Sequence, residues 1–319
     1  MARFSNAIYA VMKIAQPNSS EQRRVATMTV LQTVIGACDE QQDFVTGLRP
    51  MGPVQKIVAT MEDEASCHIC IDALTREDRN SLEHQLTLAT RVQKNLVPAS
   101  DFSSAGWQIC HHYAPAGLLS GDYCDFFESN SSLYFFLGDV AGKGVAASMM
   151  MSQLYATFRS LATSDLPIDL MVETANRIFS QSTLAGQFAT VVAGRAEQNG
   201  SVEFVSAGHL PLLHLHNSSV ELEPATGIPL GMFAGAQFEI SRLALGSGDS
   251  LLLYTDGLTE ARNPAGQEYG VRRLRKTVAR HTAAGPSQLI SECLLDRLDF
   301  TRGAQQADDL SLMVIRRAG

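Results

Sequence analysis

Aspartate residues stand where apolar segments begin or end at four separate places in the sequence. Asp122 lies in SGDYCDFF, Asp139 ends the run YFFLGD, Asp256 ends LLLYTD, and the pair Asp308 and Asp309 opens DDLSLMVI. A single aspartate at the end of a strand is a common turn or cap residue. The recurrence of the same residue at four apolar segments indicates instead that several carboxylates converge.

Such a cluster of carboxylates has a clear electrostatic requirement. Two bare carboxylates about 4 Å apart repel by about 4 kcal/mol at an effective dielectric constant of about 20, and Lys143 is the only lysine or histidine within these motifs. Three or four converging carboxylates therefore need cations near neutral pH. Oxygen ligands without thiolate or imidazole favour Mg²⁺ or Mn²⁺. Gly142 and Gly144, which follow Asp139, allow a positive φ or the close approach of a ligand.

The elements that would position these aspartates are short strands. From Trp107 onward, apolar runs rich in β-branched and aromatic residues alternate with turn residues, and polar links of hairpin length indicate antiparallel pairing. Examples of these strand-like runs are SLYFFLGDV, FATVVAGRAE, SVEFVSAGH, LPLLHLH, FEISRLAL, DSLLLYTDG and DLSLMVIRR. Three helical stretches interrupt them: GVAASMMMSQLYATFRSLAT, PIDLMVETANRIFSQ and GPSQLISECLLDRLDF. This pattern predicts an α+β domain in which antiparallel sheets pack together and are covered by helices.

The N-terminal part of the chain lacks tight turn signals and indicates mainly helices. Thr75 and Asp78 resemble a capping box, and Pro98 ends the helix that follows. Apolar residues recur along this helix at steps of three and four: Leu82, Leu86, Ala89, Val92 and Leu96. Such a stripe suits packing on its own domain or on a second copy of the chain, and both interpretations remain open.

Composition excludes some classes of function. The net charge is −8 and no dense run of Lys and Arg occurs, which argues against nucleic-acid binding. No apolar stretch approaches the roughly 20 residues of a membrane helix, and the N-terminus does not resemble a signal peptide. Six scattered cysteines suit free thiols in a cytoplasmic protein. The stretch CHIC, from Cys67 to Cys70, lacks a second ligand pair, so packing is favoured there over zinc.

Seven motifs carry a resemblance to a known family. In chain order they are SGDYCDFF, GDVAGKGVAASMMM, FATVVAG, SAGHLPLL, TGIPLGM, LLLYTDGLTEARN and ADDLSLMVI. The set resembles the metal-dependent protein phosphatases (PPM family) of the SpoIIE branch, the RsbU-like phosphatases, over residues 96–317. The resemblance implies an α-β-β-α sandwich with two Mn²⁺ or Mg²⁺ ions. It also implies hydrolysis of phosphoserine or phosphothreonine by a metal-activated water.

The resemblance, carried over motif by motif, implies roles for particular residues. Asp139 would bridge both metal ions. Asp122 and the backbone carbonyl of Val140 would hold one ion, and Asp256 and Asp308 would hold the other. Asp139, Asp122 and Asp256 would be catalytic through the metal-activated water.

Other residues of the motifs receive weaker or structural assignments. Whether Asp309, the second aspartate of the last pair, binds a metal ion is left open. Asp125 either supports a metal ligand or has a structural role. His209 in SAGH is expected to be a structural histidine. The family usually has glycine where Ser120 stands and an aromatic residue where Cys124 stands, and neither change removes a ligand.

The expected organisation is an N-terminal regulatory or dimerisation region (residues 1–74), a linker helix (75–97) and a phosphatase domain (98–319). The resemblance implies a phosphorylated protein substrate such as a STAS-type anti-sigma-factor antagonist, and the N-terminal region suggests a homodimer. No nucleic-acid or membrane partner is expected. The main alternative is a pseudophosphatase that binds a phosphoprotein without turnover. A structural protein whose aspartates only form turns, and a two-metal nuclease, are less favoured.

Overall fold

The computed structural model describes residues 76–183 and 186–318. The first described element is helix α1, Arg76–Lys94, which falls within the predicted linker helix. It belongs to the same compact unit as the elements that follow it. Thr75 of the predicted capping box, the region 1–74 and the CHIC stretch lie outside the described residues.

The first sheet is made of six strands. They are β1 (Asp101–Ser104), β2 (Trp107–Ala114), β7 (Leu212–His216), β8 (Ser219–Glu223), β10 (Ser250–Tyr254) and β11 (Leu310–Arg317). Their spatial order is β1-β2-β11-β10-β7-β8, and every neighbouring pair is antiparallel. Because the two central strands are antiparallel, the end of β10 lies beside the start of β11.

The second sheet is made of five strands. They are β3 (Tyr123–Ser129), β4 (Ser132–Val140), β5 (Ala189–Ala196), β6 (Ser201–Ala207) and β9 (Ser241–Ala244). Their order is β3-β4-β5-β6-β9, again antiparallel throughout. Strand β4 is buried on both faces from Ser132 to Gly138, which explains why its sequence is a continuous apolar run.

Five further helices follow α1. They are α2 (Val145–Leu161), α3 (Ile168–Ser180), the short α4 (Asp256–Thr259), α5 (Gly270–Ala279) and α6 (Pro286–Thr301). Helices α2 and α3 pack on the outer face of the second sheet, where Phe158 and Phe179 join its aromatic cluster. Helices α5 and α6 cover the first sheet through Leu274 and Leu289.

A third apolar layer lies between the two sheets. Ile109 and Met313 of the first sheet pack there against Phe135 and Phe204 of the second. Aromatic side chains supply much of the buried area on both faces of the second sheet, and this burial is the main favourable contribution to folding. The predicted α-β-β-α sandwich of two antiparallel sheets is confirmed.

Some elements were not predicted from the sequence. Helix α5 is ten residues long, and only Leu274, Thr277 and Val278 of it are buried. Strands β1 and β8 are short edge strands, and Val220 is the buried residue of β8. In the described ranges no helix combines the length and apolar character that crossing a membrane requires.

Candidate active site

Asp139 lies near the end of β4, which is flanked by β3 and β5 in the second sheet, and it is opposite Thr190 of β5. Its carboxylate is partly buried beside other acidic groups. Burial, followed by the charges of Asp256 and Asp308, raises the pKa of Asp139 to about 7, while Lys143 acts in the opposite direction. The negative charge on this side chain is therefore unfavourable unless a cation is close.

Asp122 directly precedes β3 and is almost fully buried, with 1% of its surface exposed. Its Oδ2 accepts hydrogen bonds from the hydroxyls of Thr255 (3.0 Å) and Ser311 (2.6 Å). Burial, and next the charge of Asp139, raises the pKa of Asp122 well above its usual range, although the two hydroxyls act in the opposite direction. Asp122 thus joins the start of β3 to the end of β10 and the start of β11.

Asp256 begins the short helix α4, two residues after β10 ends. Burial, and next the charge of Asp308, raises its pKa. Gly257 lets the backbone of α4 lie against the start of β11, because a side chain at position 257 would collide with the backbone oxygen of Asp309. The absence of a side chain at Gly257 thus brings Asp256 close to the last pair of aspartates.

The two neighbouring aspartates before β11 have different partners. Asp309 is buried, and its two carboxylate oxygens accept the backbone N–H groups of Ala116 (2.7 Å) and Gly121 (2.9 Å). Asp308 is partly exposed, and its Oδ2 lies 2.9 Å from Nζ of Lys143. Asp309 therefore fixes the loop that precedes Asp122. Asp308 instead faces the acidic cluster and pairs with the ammonium group of Lys143.

The backbone carbonyl of Val140 lies next to Gly121. A Cβ at position 121 would be 3.0 Å from the Val140 oxygen and 3.6 Å from Oδ1 of Asp139. Glycine at 121 is thus needed for this close approach between the loop and the end of β4. The five residues that the sequence singled out, Asp122, Asp139, Val140, Asp256 and Asp308, all meet at this end of the sandwich.

The carboxylates form a cluster, but their oxygens are not closely grouped around one point. Within the described part of the chain, no three of these aspartates bring one oxygen each within 4.8 Å of one another. Lys143 holds Asp308 by its ammonium group and also donates to the backbone oxygen of Ala307 at 2.8 Å. A donor set of carboxylates and one carbonyl fits a hard divalent cation. Burial, and next the neighbouring carboxylates, raises the pKa values of Asp122, Asp139 and Asp256.

Asp125, three residues after Asp122 in the same motif, is not part of this cluster. Its side chain is fully buried and accepts two hydrogen bonds from Arg159 of α2, at 2.8 Å from Nε and 2.7 Å from the terminal nitrogen. The Arg159 guanidinium also stacks on the ring of Phe127, 4.2 Å from its centroid. Burial raises the pKa of Asp125, although Arg159 acts in the opposite direction. Asp125 thus ties β3 to α2.

His209 is buried and both of its ring nitrogens have partners. Nδ1 lies 2.9 Å from the hydroxyl of Thr190, and Nε2 lies 3.1 Å from the backbone oxygen of Tyr254. A carbonyl can only accept, so Nε2 carries the proton and Nδ1 accepts from Thr190. Burial lowers the pKa of His209 to about 4, so the ring is neutral at pH 7. His209 links the two sheets close to Asp139 and Asp256.

Sequence reasoning missed several residues that hold the aspartates in place. Thr255 and Ser311 each lie beside an aspartate motif, so their position was a usable signal. Gln93 of α1 gave no such signal, although its amide bonds to the backbone of Ser120 in both directions. The hydroxyl of Ser120, where the family usually has glycine, accepts the backbone N–H of Asp122 at 3.1 Å.

Comparison with known proteins identifies the family. The family model described as Stage II sporulation protein E (SpoIIE) matches residues 129–318. The chain belongs to the SpoIIE family. The matched span of this SpoIIE-family chain contains Asp139, Asp256 and Asp308, and it begins after Asp122 and Asp125.

Two curated proteins are similar to the SpoIIE-family chain over about three quarters of its length. It is 27% identical over 265 residues to protein IcfG of Synechocystis sp., which covers 73% of this chain and 41% of IcfG. It is 26% identical over 245 residues to the phosphoserine phosphatase RsbU of Bacillus subtilis, which covers 75% of this chain and 72% of RsbU. The chain thus spans less than half the length of IcfG.

Solved structures share the fold. The RsbU and RsbW domains of Rv1364c from Mycobacterium tuberculosis match with a TM-score of 0.60 and 28% identity, over 70% of this chain and 62% of that one. The SiaA-PP2C domain of Pseudomonas aeruginosa matches with a TM-score of 0.64 and 17% identity, over 75% of this chain and 97% of that one. The fold of the SpoIIE-family chain is that of a PP2C phosphatase domain.

Proposed function

We propose that this chain is a metal-dependent serine/threonine protein phosphatase that acts on a phosphorylated bacterial signalling protein. The observation that carries the proposal is the meeting of Asp122, Asp139, Asp256 and Asp308 at one end of a SpoIIE-family sandwich. RsbU and RsbP of Bacillus subtilis, both phosphoserine phosphatases, are related to this chain. Their relationship supports the same reaction here.

The metal site that we propose uses the residues implied by the motifs. Asp139 would hold two divalent ions, Mn²⁺ or Mg²⁺. Asp122 and the carbonyl of Val140 would hold one of them, and Asp256 and Asp308 the other. When bound, such ions activate a water molecule and neutralise phosphoryl oxygens. Because each of these ligands is an oxygen, the site should prefer hard cations to zinc.

The chain's own residues would orient the ligands. The hydroxyls of Thr255 and Ser311 both bind Oδ2 of Asp122, which leaves Oδ1 for a cation. Lys143 neutralises Asp308 in the absence of a metal ion, and a cation would take over that neutralisation. The released ammonium would then remain at the edge of the site, where it suits an incoming phosphate group.

A cavity beside the acidic cluster is a candidate position for the substrate protein. Its volume is about 440 Å³, and its lining includes Leu86 of α1, Leu118, Lys143, Val145 and Gln306. Apolar residues with one cation near the metal ligands suit a folded phosphoprotein better than a small metabolite. We propose a STAS-type anti-sigma-factor antagonist as the substrate, since RsbU-type relatives are phosphoserine phosphatases.

Helix α1 is proposed to connect the phosphatase domain to the preceding regulatory or dimerisation region. Leu82 and Val92 of its apolar stripe are exposed, whereas Leu86 lines the cavity near the site. Packing on its own domain therefore covers only part of the stripe, which supports a homodimer through the rest. Light scattering on the full chain and on a Leu82→Glu, Val92→Glu double variant tests this. A monomer in both would remove the dimer proposal.

The decisive experiment measures release of phosphate from a panel of phosphorylated STAS-type proteins by the full chain with Mn²⁺. Activity should require Mn²⁺, disappear with EDTA and be abolished in Asp256→Asn. The exposed Asp165, which pairs loosely with Arg195 at 3.5 Å, provides the control variant Asp165→Asn. The Lys143–Asp308 pair favours one alternative, a silent phosphoprotein-binding regulator. Binding of the phosphoproteins without Mn²⁺-dependent release would support that alternative and contradict the enzyme.

A further inference from the structure

A second group of metal-ligating side chains lies at the other end of β10. One ring nitrogen of His214, one of His216 and a carboxylate oxygen of Asp249 lie within 4.8 Å of one another. His214 forms a second such group with Glu221 and Glu223. Asp249 and Asp256 flank β10 on opposite sides, seven residues apart. At the rise of a strand this separation is about 23 Å, so the group is separate from the aspartate cluster.

The sheet register explains why these side chains meet. His214 is paired with Leu251 of β10 on one side and with Glu221 of β8 on the other. Paired residues point to the same face of a sheet, and Leu251 belongs to the apolar layer between the two sheets. His216, two residues after His214, shares that face. The group thus lies at the margin of a buried layer.

The burial of His214 distinguishes this group from an ordinary solvated surface. Its side chain is 10% exposed, and its Nε2 is buried without a hydrogen-bond partner. Its Nδ1 lies 3.8 Å from Glu223, beyond hydrogen-bond distance. A buried ring nitrogen without a hydrogen-bond partner is destabilising. His209, the other deeply buried histidine described above, has partners at both nitrogens.

The other two members are already held in position. Nδ1 of His216 lies 2.6 Å from Asp249, and the same Asp249 oxygen accepts the backbone N–H of Gly246 at 2.8 Å. The amide of Asn217 contacts Nε2 of His216. Because Asn217 is exposed, water or another ligand can readily replace this contact. His216 and Asp249 thus already lie side by side, as two ligands of one ion must.

We infer that His214, His216 and Asp249 form a second metal site, selective for Zn²⁺ or a similar transition-metal ion, with Glu223 or water as a further ligand. Two imidazoles and a carboxylate are a typical donor set for zinc, unlike the all-oxygen set around Asp139. The ion would connect β7 with the turn before β10 and would satisfy the buried nitrogen of His214. Its role is structural, and it needs no contribution from the phosphatase site.

The test measures Zn²⁺ binding by calorimetry and Co²⁺ binding by visible absorption. The full chain carries Asp139→Asn, to weaken the other metal site, and Cys67→Ser and Cys70→Ser, to remove thiolates. This parent should bind one equivalent of Zn²⁺, and Co²⁺ should give the intense absorption of a four-coordinate ion. His214→Gln or His216→Gln should weaken Zn²⁺ binding by about 100-fold or more and abolish that absorption.

A matched control is His281→Gln. His281 follows α5 and lies 3.7 Å from Glu292, so it is a histidine beside a carboxylate but outside the group. Its replacement should leave Zn²⁺ binding and the Co²⁺ spectrum unchanged. Circular dichroism checks that each variant is folded, and Asp249→Asn provides a third variant if one histidine variant unfolds. A parent that binds no Zn²⁺, or folded variants that bind it as the parent does, would overturn the inference.

Discussion

The side-chain amide of Gln93 pairs with the backbone of Ser120 in both directions. Nε2 donates to the Ser120 carbonyl at 2.8 Å, and Oε1 accepts the Ser120 N–H at 3.0 Å. Both residues are buried. Since the Ser120 hydroxyl in turn accepts the N–H of Asp122, helix α1 is fastened to the loop that positions a candidate metal ligand. A displacement of α1 would therefore move the loop that positions Asp122.

Replacement of Gln93 by alanine should weaken both folding and metal binding. The buried N–H and carbonyl of Ser120 would lose their partners, which lowers the free energy of unfolding by about 1–3 kcal/mol. The dissociation constant for Mn²⁺ should rise by about tenfold, because Asp122 is held less firmly. Chemical denaturation and calorimetry measure the two effects. Gln85→Ala, on the exposed side of the same helix, should change neither, and equal behaviour of the two variants would refute the coupling.

Asparagine substitutions should separate the roles of Asp308 and Asp309. Asp309→Asn leaves one acceptor oxygen for two backbone N–H donors, so the metal-free protein should lose about 2 kcal/mol of stability. Asp308→Asn removes a partly exposed ion pair and should change stability by less than about 1 kcal/mol. It should nevertheless abolish high-affinity Mn²⁺ binding. Thermal unfolding without metal and Mn²⁺ calorimetry test this, and the reverse pattern would exchange the two assignments.

The buried ion pair of Asp125 with Arg159 should matter for stability and not for metal binding. Arg159→Ala leaves the fully buried carboxylate without its partner, which should lower the free energy of unfolding by about 3–5 kcal/mol. Asp125→Asn should cost less, because the Arg159 side chain is 37% exposed and can reach water. Urea denaturation gives both values. Loss of Mn²⁺ affinity in folded Asp125→Asn, with unchanged stability, would show that Asp125 acts at the site.

The buried neutral state of His209 should make stability depend on pH. Its pKa of about 4 in the folded state lies below the ordinary value of about 6.5. The unfolded chain thus binds a proton first, and stability falls as the pH drops from about 6.5 through about 4. By this linkage the wild type should lose about 3 kcal/mol relative to His209→Gln between pH 7 and pH 4. Parallel pH profiles of the unfolding free energy for the wild type and His209→Gln would contradict this prediction.

The sequence predicted the sheets well where burial leaves a local pattern. Strands β4, β10 and β11 are apolar runs with an aspartate at one end, and the structure places each of them between two neighbouring strands. Helix α5 was not predicted because only one narrow side of it is buried, as at Leu274 and Val278. Edge strand β8 was not predicted because it pairs only with β7 and contributes a single buried residue, Val220.

The candidate site was predictable at its aspartates but not at their supports. Asp122, Asp139 and Asp256 stand at strand ends, which is a local signal. The contact of Gln93 with Ser120 joins residues 27 positions apart and leaves no periodic trace. Asp249 likewise accepts the N–H of Gly246 in a local turn, and its approach to His216, 33 positions away, depends on strand pairing alone.

Calorimetric titration of Mn²⁺ into wild-type protein and Asp139→Asn tests the central claim most directly, with Asp165→Asn as the control. If Asp139 holds both ions, the wild type and the control bind about two equivalents of Mn²⁺, and Asp139→Asn loses high-affinity binding altogether. Wild-type affinity and stoichiometry in folded Asp139→Asn would contradict the claim that the aspartate cluster is a metal centre.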